Sequence, residues 1–165
     1  MRVIIKKIFT TLFTVMAKRK VKSYGVDFRV NFLCIFTTKT VVGNNCNFNG
    51  MQISGNGAVV IGNNFHSGKE CLFFTSYHNY DNGEAIPYDN TFVDKDIMIE
   101  DNVWIGTRVI VLGGVTLGEG CIIQAGSVVT SSIPKCAIAG GSPAKVFKMR
   151  DVSHYEKLKS ERRFN

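Results

Sequence analysis

Of the three histidines in this chain, His66, His78 and His154, His78 is the candidate for acid–base chemistry. It lies near the start of a polar, turn-rich stretch running from Thr75 to Asp96, with Asp81, Glu84 and Asp89 close behind. An imidazole titrates near neutral pH and can take a proton from a nucleophile as weak as an alcohol. It does so when a carboxylate or carbonyl holds it in one tautomer. Asp81 is the nearest such acid in sequence, with Glu84 and Asp89 further off. His66 reads as a turn or surface residue, and His154 sits in a charged tail. The three histidines lack the paired spacing of a zinc site. The five cysteines, Cys34, Cys46, Cys71, Cys121 and Cys136, form no Cys-x-x-Cys pair, so buried reduced thiols and no metal are expected.

A loop of this kind needs a rigid mount, and a six-residue rhythm supplies one. Ile99, Ile105, Val111, Leu117, Ile123 and Val129 stand six apart, and Val103, Val109, Val115, Cys121, Ser127 and Ile133 fall four places after each. Neither a helix period nor a plain strand alternation fits this spacing. A parallel β-helix does, with each aliphatic residue pointing inward and small residues at the corners. Val30, Phe36, Val42 and Phe48 keep the step earlier, and Ile61, Ser67 and Phe73 resume it after a one-residue slip between Ser54 and Val60. The register breaks between Phe73 and Ile99, so residues 75–96 read as a loop thrown out of the solenoid. The chain is expected to be all-β, with an N-terminal amphipathic helix (1–22), a β-helix domain (23–142) and a closing segment with a basic tail (143–165).

Its 165 residues suit one domain, and 45% hydrophobic content with 16 glycines suits a solenoid with tight turns. The formal charge of +7 gathers at the two ends rather than interleaving with aromatics, which argues against nucleic acid. An anionic cofactor or membrane surface fits better. The apolar stretch Val3–Met16 is interrupted by Lys6 and Lys7, too short to span a bilayer and a poor signal peptide. Two readings stand for it: a cap on the open end of the solenoid, or an interfacial helix held by Phe9, Leu12 and Phe13. The run from Asp151 to Asn165 reads as a helical, solvated tail.

The segments Ile99-Glu-Asp-Asn-Val-Trp-Ile-Gly, Val111-Leu-Gly-Gly-Val-Thr-Leu-Gly, Ala125-Gly-Ser-Val-Val-Thr and Ala139-Gly-Gly-Ser-Pro-Ala-Lys-Val resemble the hexapeptide acyltransferases. Within them the chain is most similar to the galactoside, maltose and polysaccharide O-acetyltransferase branch, over residues 40–150. The resemblance implies a left-handed β-helix, a homotrimer, and acetyl-CoA as cosubstrate between neighbouring subunits. It implies His78 as catalytic base, and an acceptor site holding Asn47, Asp81 and Trp104, with Asn49 as the alternative to Asn47. Gly106, Thr107, Ala125 and Thr130 match the cofactor-binding positions. Lys145 and Lys148 stand where relatives often have arginines, so charge is kept and bidentate geometry lost. Where relatives carry a basic residue after the Thr130 position, this chain has Ser131.

These expectations combine as transfer of acetyl to a sugar hydroxyl in cell-surface polysaccharide assembly, such as O-antigen or capsule. The place is the cytoplasm, with the inner face of the membrane as the finer alternative. An amino-sugar N-acetyltransferase, an antibiotic acetyltransferase and a non-catalytic trimeric scaffold are the rivals.

Overall fold

The computed structural model describes residues 2–165, and side chains from Ile4 onward. The hexads close into a parallel β-helix with three faces. Short strands at Ser23–Tyr24, Thr40–Val42, Val59–Ile61, Ile97–Ile99 and Thr116–Leu117 stack in parallel as the first face. The second face runs from Arg29 and Val30 through Asn47, His66 and Trp104 to Ile122 and Ile138. The third stacks Ile53, Phe73, Val111 and Val129. All six inward residues from Ile99 to Val129 are buried, as are the small and aliphatic residues four places after each. The thiols of Cys46, Cys71, Cys121 and Cys136 are free and buried. Burial pushes those of Cys46 and Cys71 up to about 11 and that of Cys121 up to about 12.

The corners explain the composition. Along the first-to-second edge the residues Asn45, Asn64 and Asn102 have φ of 54°, 56° and 63°, a left-handed conformation that asparagine tolerates. Their side chains form a ladder. Asn45 Nδ2 donates to Asn64 Oδ1 at 3.0 Å, and Asn64 Nδ2 donates to Asn102 Oδ1 at 2.8 Å. Two long strands, Asn47–Ser54 and His66–Phe74, run through the corner between the second and third faces, and their register shifts between Asn47 and Asn49. Phe28, Phe36, Phe48 and Phe65 fill this wider end, edge to face or tilted, with centroids 5.2–5.9 Å apart.

One helix covers the first coil, and a second docks on the flank of the solenoid. α1 (Arg2–Lys18) lies on the first coil through Thr10, Phe13, Thr14 and Ala17. The Val30 N–H donates to Thr14 Oγ1 at 2.9 Å. At the other end Ala137–Gly141 is followed by an antiparallel return strand, Ala144–Met149, and then α2 (Val152–Ser160). The helix begins at Asp151, whose carboxylate accepts the His154 N–H at 2.9 Å.

The expectation of a solvated tail fails. Tyr155 is buried, because Gly120 leaves room for its ring: a Cβ there would meet Tyr155 at 2.7 Å. The Tyr155 hydroxyl donates to Glu119 at 2.7 Å and accepts from Asn102 at 2.9 Å, while Lys159 donates to the same Glu119 oxygen at 2.6 Å. Burial alone would raise the Glu119 carboxyl. Lys159, Tyr155 and Lys135 outweigh it and hold the group below its ordinary value.

Candidate active site

The excursion from the solenoid is a hairpin. Ser76–His78 pairs antiparallel with Phe92–Asp94, so His78 faces Phe92 in register at the far end of the ladder. Ser76 Oγ donates to Asp94 at the root. Alternating residues of the short strand place the His78 ring against the hairpin's own aromatics. It stacks on Tyr88 at 3.7 Å between centroids and leans on Phe92 at 4.5 Å. His78 Nδ1 is buried and has no hydrogen-bond partner among the described residues. A buried polar atom without a partner is uncommon enough to need a reason. The acids near it in sequence do not supply one. Asp89 instead accepts from the Thr91 N–H, the Thr91 hydroxyl and the Glu84 N–H, which together lower its carboxyl. Asp81 is exposed, and no hydrogen bond joins it to the ring.

Asn47 and Trp104 come together elsewhere, on the second face. Asn47 pairs with His66, and His66 with Trp104, so the three side chains form one row on adjacent coils. Asn49 is engaged within the fold, donating to Ser67 O at 2.6 Å and accepting from Asn31 at 3.1 Å. The Asn47 amide makes no such bond among the described residues. Trp104 is 55% exposed, a high value for the one tryptophan of the chain.

His66 stands between Asn47 and Trp104, a placement the sequence reading did not give. It precedes the inward Ser67 as Asn47 precedes Phe48 and Trp104 precedes Ile105, and that shared phase was the available signal. His66 and Trp104 line a cavity of about 430 Å³ that α2 and the tail roof over with Arg150, Arg163 and Phe164. His66 Nε2 lies 3.3 Å from Asn165 O.

The residues matched to coenzyme binding divide between two edges. Gly106, Thr107 and Ala125 stack at the second-to-third edge, where the Gly106 N–H donates to Ile123 O at 2.8 Å and the Gly126 N–H to Thr107 O at 2.8 Å. A Cβ on Gly106 would meet Ala125 N at 2.5 Å, whereas beside Gly126 nothing lies within 4 Å. The next coil brings Gly141 to this edge, its N–H on Ser127 Oγ at 3.2 Å, and Lys145 pairs with Gly140 across the return strand. Lys148, on the same strand, is exposed. Small residues beside open space, leading to lysines, suit an extended chain ending in phosphates. Thr130 instead follows the third face, on the edge from which the hairpin leaves.

One chain thus carries two half-sets: His78 and Thr130 on one edge, and the Gly106–Ala125 column on another, with Asn47 and Trp104 on the adjoining face. Among the described residues no group of three or more His, Cys, Asp or Glu side chains could hold a metal.

The family model for bacterial transferase hexapeptide (six repeats) matches residues 96–131. A putative acetyltransferase of Schizosaccharomyces pombe is 41% identical over 120 residues, covering 72% of this chain and 54% of that protein. The chain therefore spans about half the length of this curated relative. The hexapeptide-repeat-containing acetyltransferase of Vibrio cholerae is 30% identical, with 78% of this chain and 70% of that one covered and a TM-score of 0.61. Its structure with acetyl coenzyme A aligns at 26% identity and a TM-score of 0.70, covering 82% of this chain and 74% of that one. A galactoside acetyltransferase in complex with coenzyme A is 27% identical, with a TM-score of 0.73 over 85% of this chain and 71% of that one. The repeat, the three-faced solenoid and these likenesses agree: the chain belongs to the hexapeptide-repeat acyltransferase family.

Proposed function

We propose that the protein is an O-acetyltransferase that moves acetyl from acetyl-CoA to a sugar hydroxyl of a cell-surface polysaccharide such as O-antigen or capsule. His78 is its general base, and it works at the inner face of the membrane. The observation that carries this reading is His78 itself. It is the one histidine mounted on the excursion, its ring is clamped by Tyr88 and Phe92, and one buried nitrogen has no partner among the described residues. The division of the remaining residues between edges supports a homotrimer, in which one subunit's hairpin meets the next subunit's glycine column and Trp104 face.

Acetyl-CoA would supply the acetyl group as a thioester, whose carbonyl carbon bonds to the acceptor oxygen as the thiolate leaves. Gly106, Thr107 and Ala125 would hold its extended arm along the edge, and Lys145 and Lys148 its phosphates. His78 accepts the hydroxyl proton at a ring nitrogen and holds the positive charge until that proton leaves with the thiol. Stacking on Tyr88 and Phe92 fixes the plane of the ring, so the proton is met in one orientation. Asn47, His66 and Trp104 present an amide, an imidazole and an aromatic face in one row, a set suited to sugar hydroxyls and a ring face. Asp81 lies on the loop, where it would reach the acceptor rather than His78.

The test is transfer of labelled acetyl from acetyl-CoA by wild type and His78→Ala, over free sugars, nucleotide sugars, lipid-linked oligosaccharides and chloramphenicol. Label in a sugar hydroxyl that depends on His78 supports the reading. Label in an amine or in chloramphenicol moves the protein to another acceptor class. Equal transfer by both proteins removes His78 from the mechanism.

A further inference from the structure

Residues 4–18 of α1 divide sharply between two faces. Only Thr10, Phe13, Thr14 and Ala17 are sheltered by the first coil, a spacing of three and four that marks one side of the helix. The opposite side carries Ile4, Ile5, Ile8, Phe9, Leu12, Val15 and Met16, all exposed, with Ile8 59% and Leu12 49% accessible. On the helical period these seven fall in one continuous apolar arc. Lys7 and Lys18 border one side of it, and Lys6 is exposed at the N-terminal end of the helix, in angle between Phe13 and Ala17. Arg19, Lys20 and Lys22 follow at its C-terminal end, and no Asp or Glu precedes Asp27. A solvent-facing apolar patch of this extent marks an interaction surface.

We infer that the outer face of α1 docks in the plane of an anionic lipid surface, with the apolar arc among the upper acyl carbons and the lysines on the headgroups. This deepens the membrane location in the proposed function, on which it rests, and uses none of the transfer chemistry. Three observations choose this occupant. The arc points away from the solenoid, so no part of the first coil covers it. A second copy docked arc to arc would bring two sets of lysines together with no carboxylate from either helix between them. At about 25 Å, the 17-residue helix matches interfacial helices in length and charge pattern. No helix among the described residues is long and apolar enough to cross a membrane.

The experiment is flotation of the full chain with phosphatidylcholine vesicles and with phosphatidylcholine–phosphatidylglycerol vesicles, at low and high salt. Wild type is expected to float with the phosphatidylglycerol vesicles and to be partly released by salt. Leu12→Asp, in the centre of the arc, is expected to lower partitioning by about tenfold or more. The double variant Lys6→Gln/Lys7→Gln, which leaves the apolar arc intact, is expected to lower it by about threefold to tenfold. Circular dichroism of both should match wild type, since all three side chains are exposed. Equal flotation with both vesicle types, or partitioning unmoved by both variants, overturns the inference. So does a wild type that never floats but whose oligomer shrinks on Leu12→Asp, which would assign the face to a second copy. Labelled acetyl transfer to a free sugar is read separately, so loss of flotation and loss of the proposed activity are distinguishable.

Discussion

The hairpin that carries His78 and the coils that carry Gly106 and Ala125 solve opposite problems. In the coils from Ile97 to Gly141 successive backbones bond to one another, and the Gly106 corner has no room for even one more carbon. In the hairpin the strands are three residues long, Phe92 and Asp94 are exposed, and a buried ring nitrogen has no partner among the described residues. The contrast shows where this molecule places accuracy and where it places reactivity. A stack fixed by its own backbone can hold a long ligand without side chains designed for it. The hairpin instead fixes the plane of one imidazole between two aromatic rings.

The largest effect should come from the hairpin. His78→Ala is expected to lower kcat for acetyl transfer by about 10²- to 10⁴-fold, the usual range for a lost general base, while its melting temperature stays within a few degrees of wild type. Gly106→Val should invert that outcome. Overpacking against Ala125 is expected to cost about 1–3 kcal/mol of stability, read by chemical denaturation, with weakened coenzyme A binding in calorimetry. If Gly106→Val melted normally and His78→Ala did not, the division of labour between coil and hairpin would be wrong.

Tyr88→Ala leaves the base but removes its stacking partner. It is expected to lower kcat by about tenfold with the KM for acetyl-CoA unchanged, separating orientation from binding. The smallest effect belongs to the docked C-terminal helix. Glu119 has a lowered folded-state value, so its stabilisation is present above the ordinary carboxylate range and is lost only as pH falls below it. Trp104 lines the cavity beneath α2 and is the sole tryptophan, so its fluorescence reports undocking. Wild type should hold its emission through the ordinary carboxylate range and change below it. Glu119→Gln should shift emission modestly at neutral pH and lose the acid step.

The solenoid was legible because its inward positions repeat in type as well as spacing. Ile99 to Val129 are all β-branched or Leu, and all are buried. The excursion at 75–96 was legible as the place where that spacing failed. Two features were not. The charged run after Asp151 conceals one Tyr whose ring fits over Gly120, and a single aromatic among lysines gives no periodic signal. His66 was passed over because its neighbours Asn47 and Trp104 are adjacent only across coils, 19 and 38 positions away along the chain. The sequence motif placed Asn47 and Asn49 on equal terms. In the fold Asn49 is bonded to Ser67 and Asn31, whereas the Asn47 amide makes no such bond among the described residues.

The asparagine ladder has a consequence for how such a protein can grow. Asn45 donates to Asn64, Asn64 to Asn102 and Asn102 to the Tyr155 hydroxyl, so each rung gives an amide hydrogen to the next. A regular coil is 18 residues, as Val111 beside Val129 shows. An inserted copy that brings its own corner asparagine would splice into this chain of amides with every rung still occupied. A copy with any other residue there would break the sequence of donors. Length is therefore an editable property of this molecule, and the unit of editing is one turn together with its asparagine.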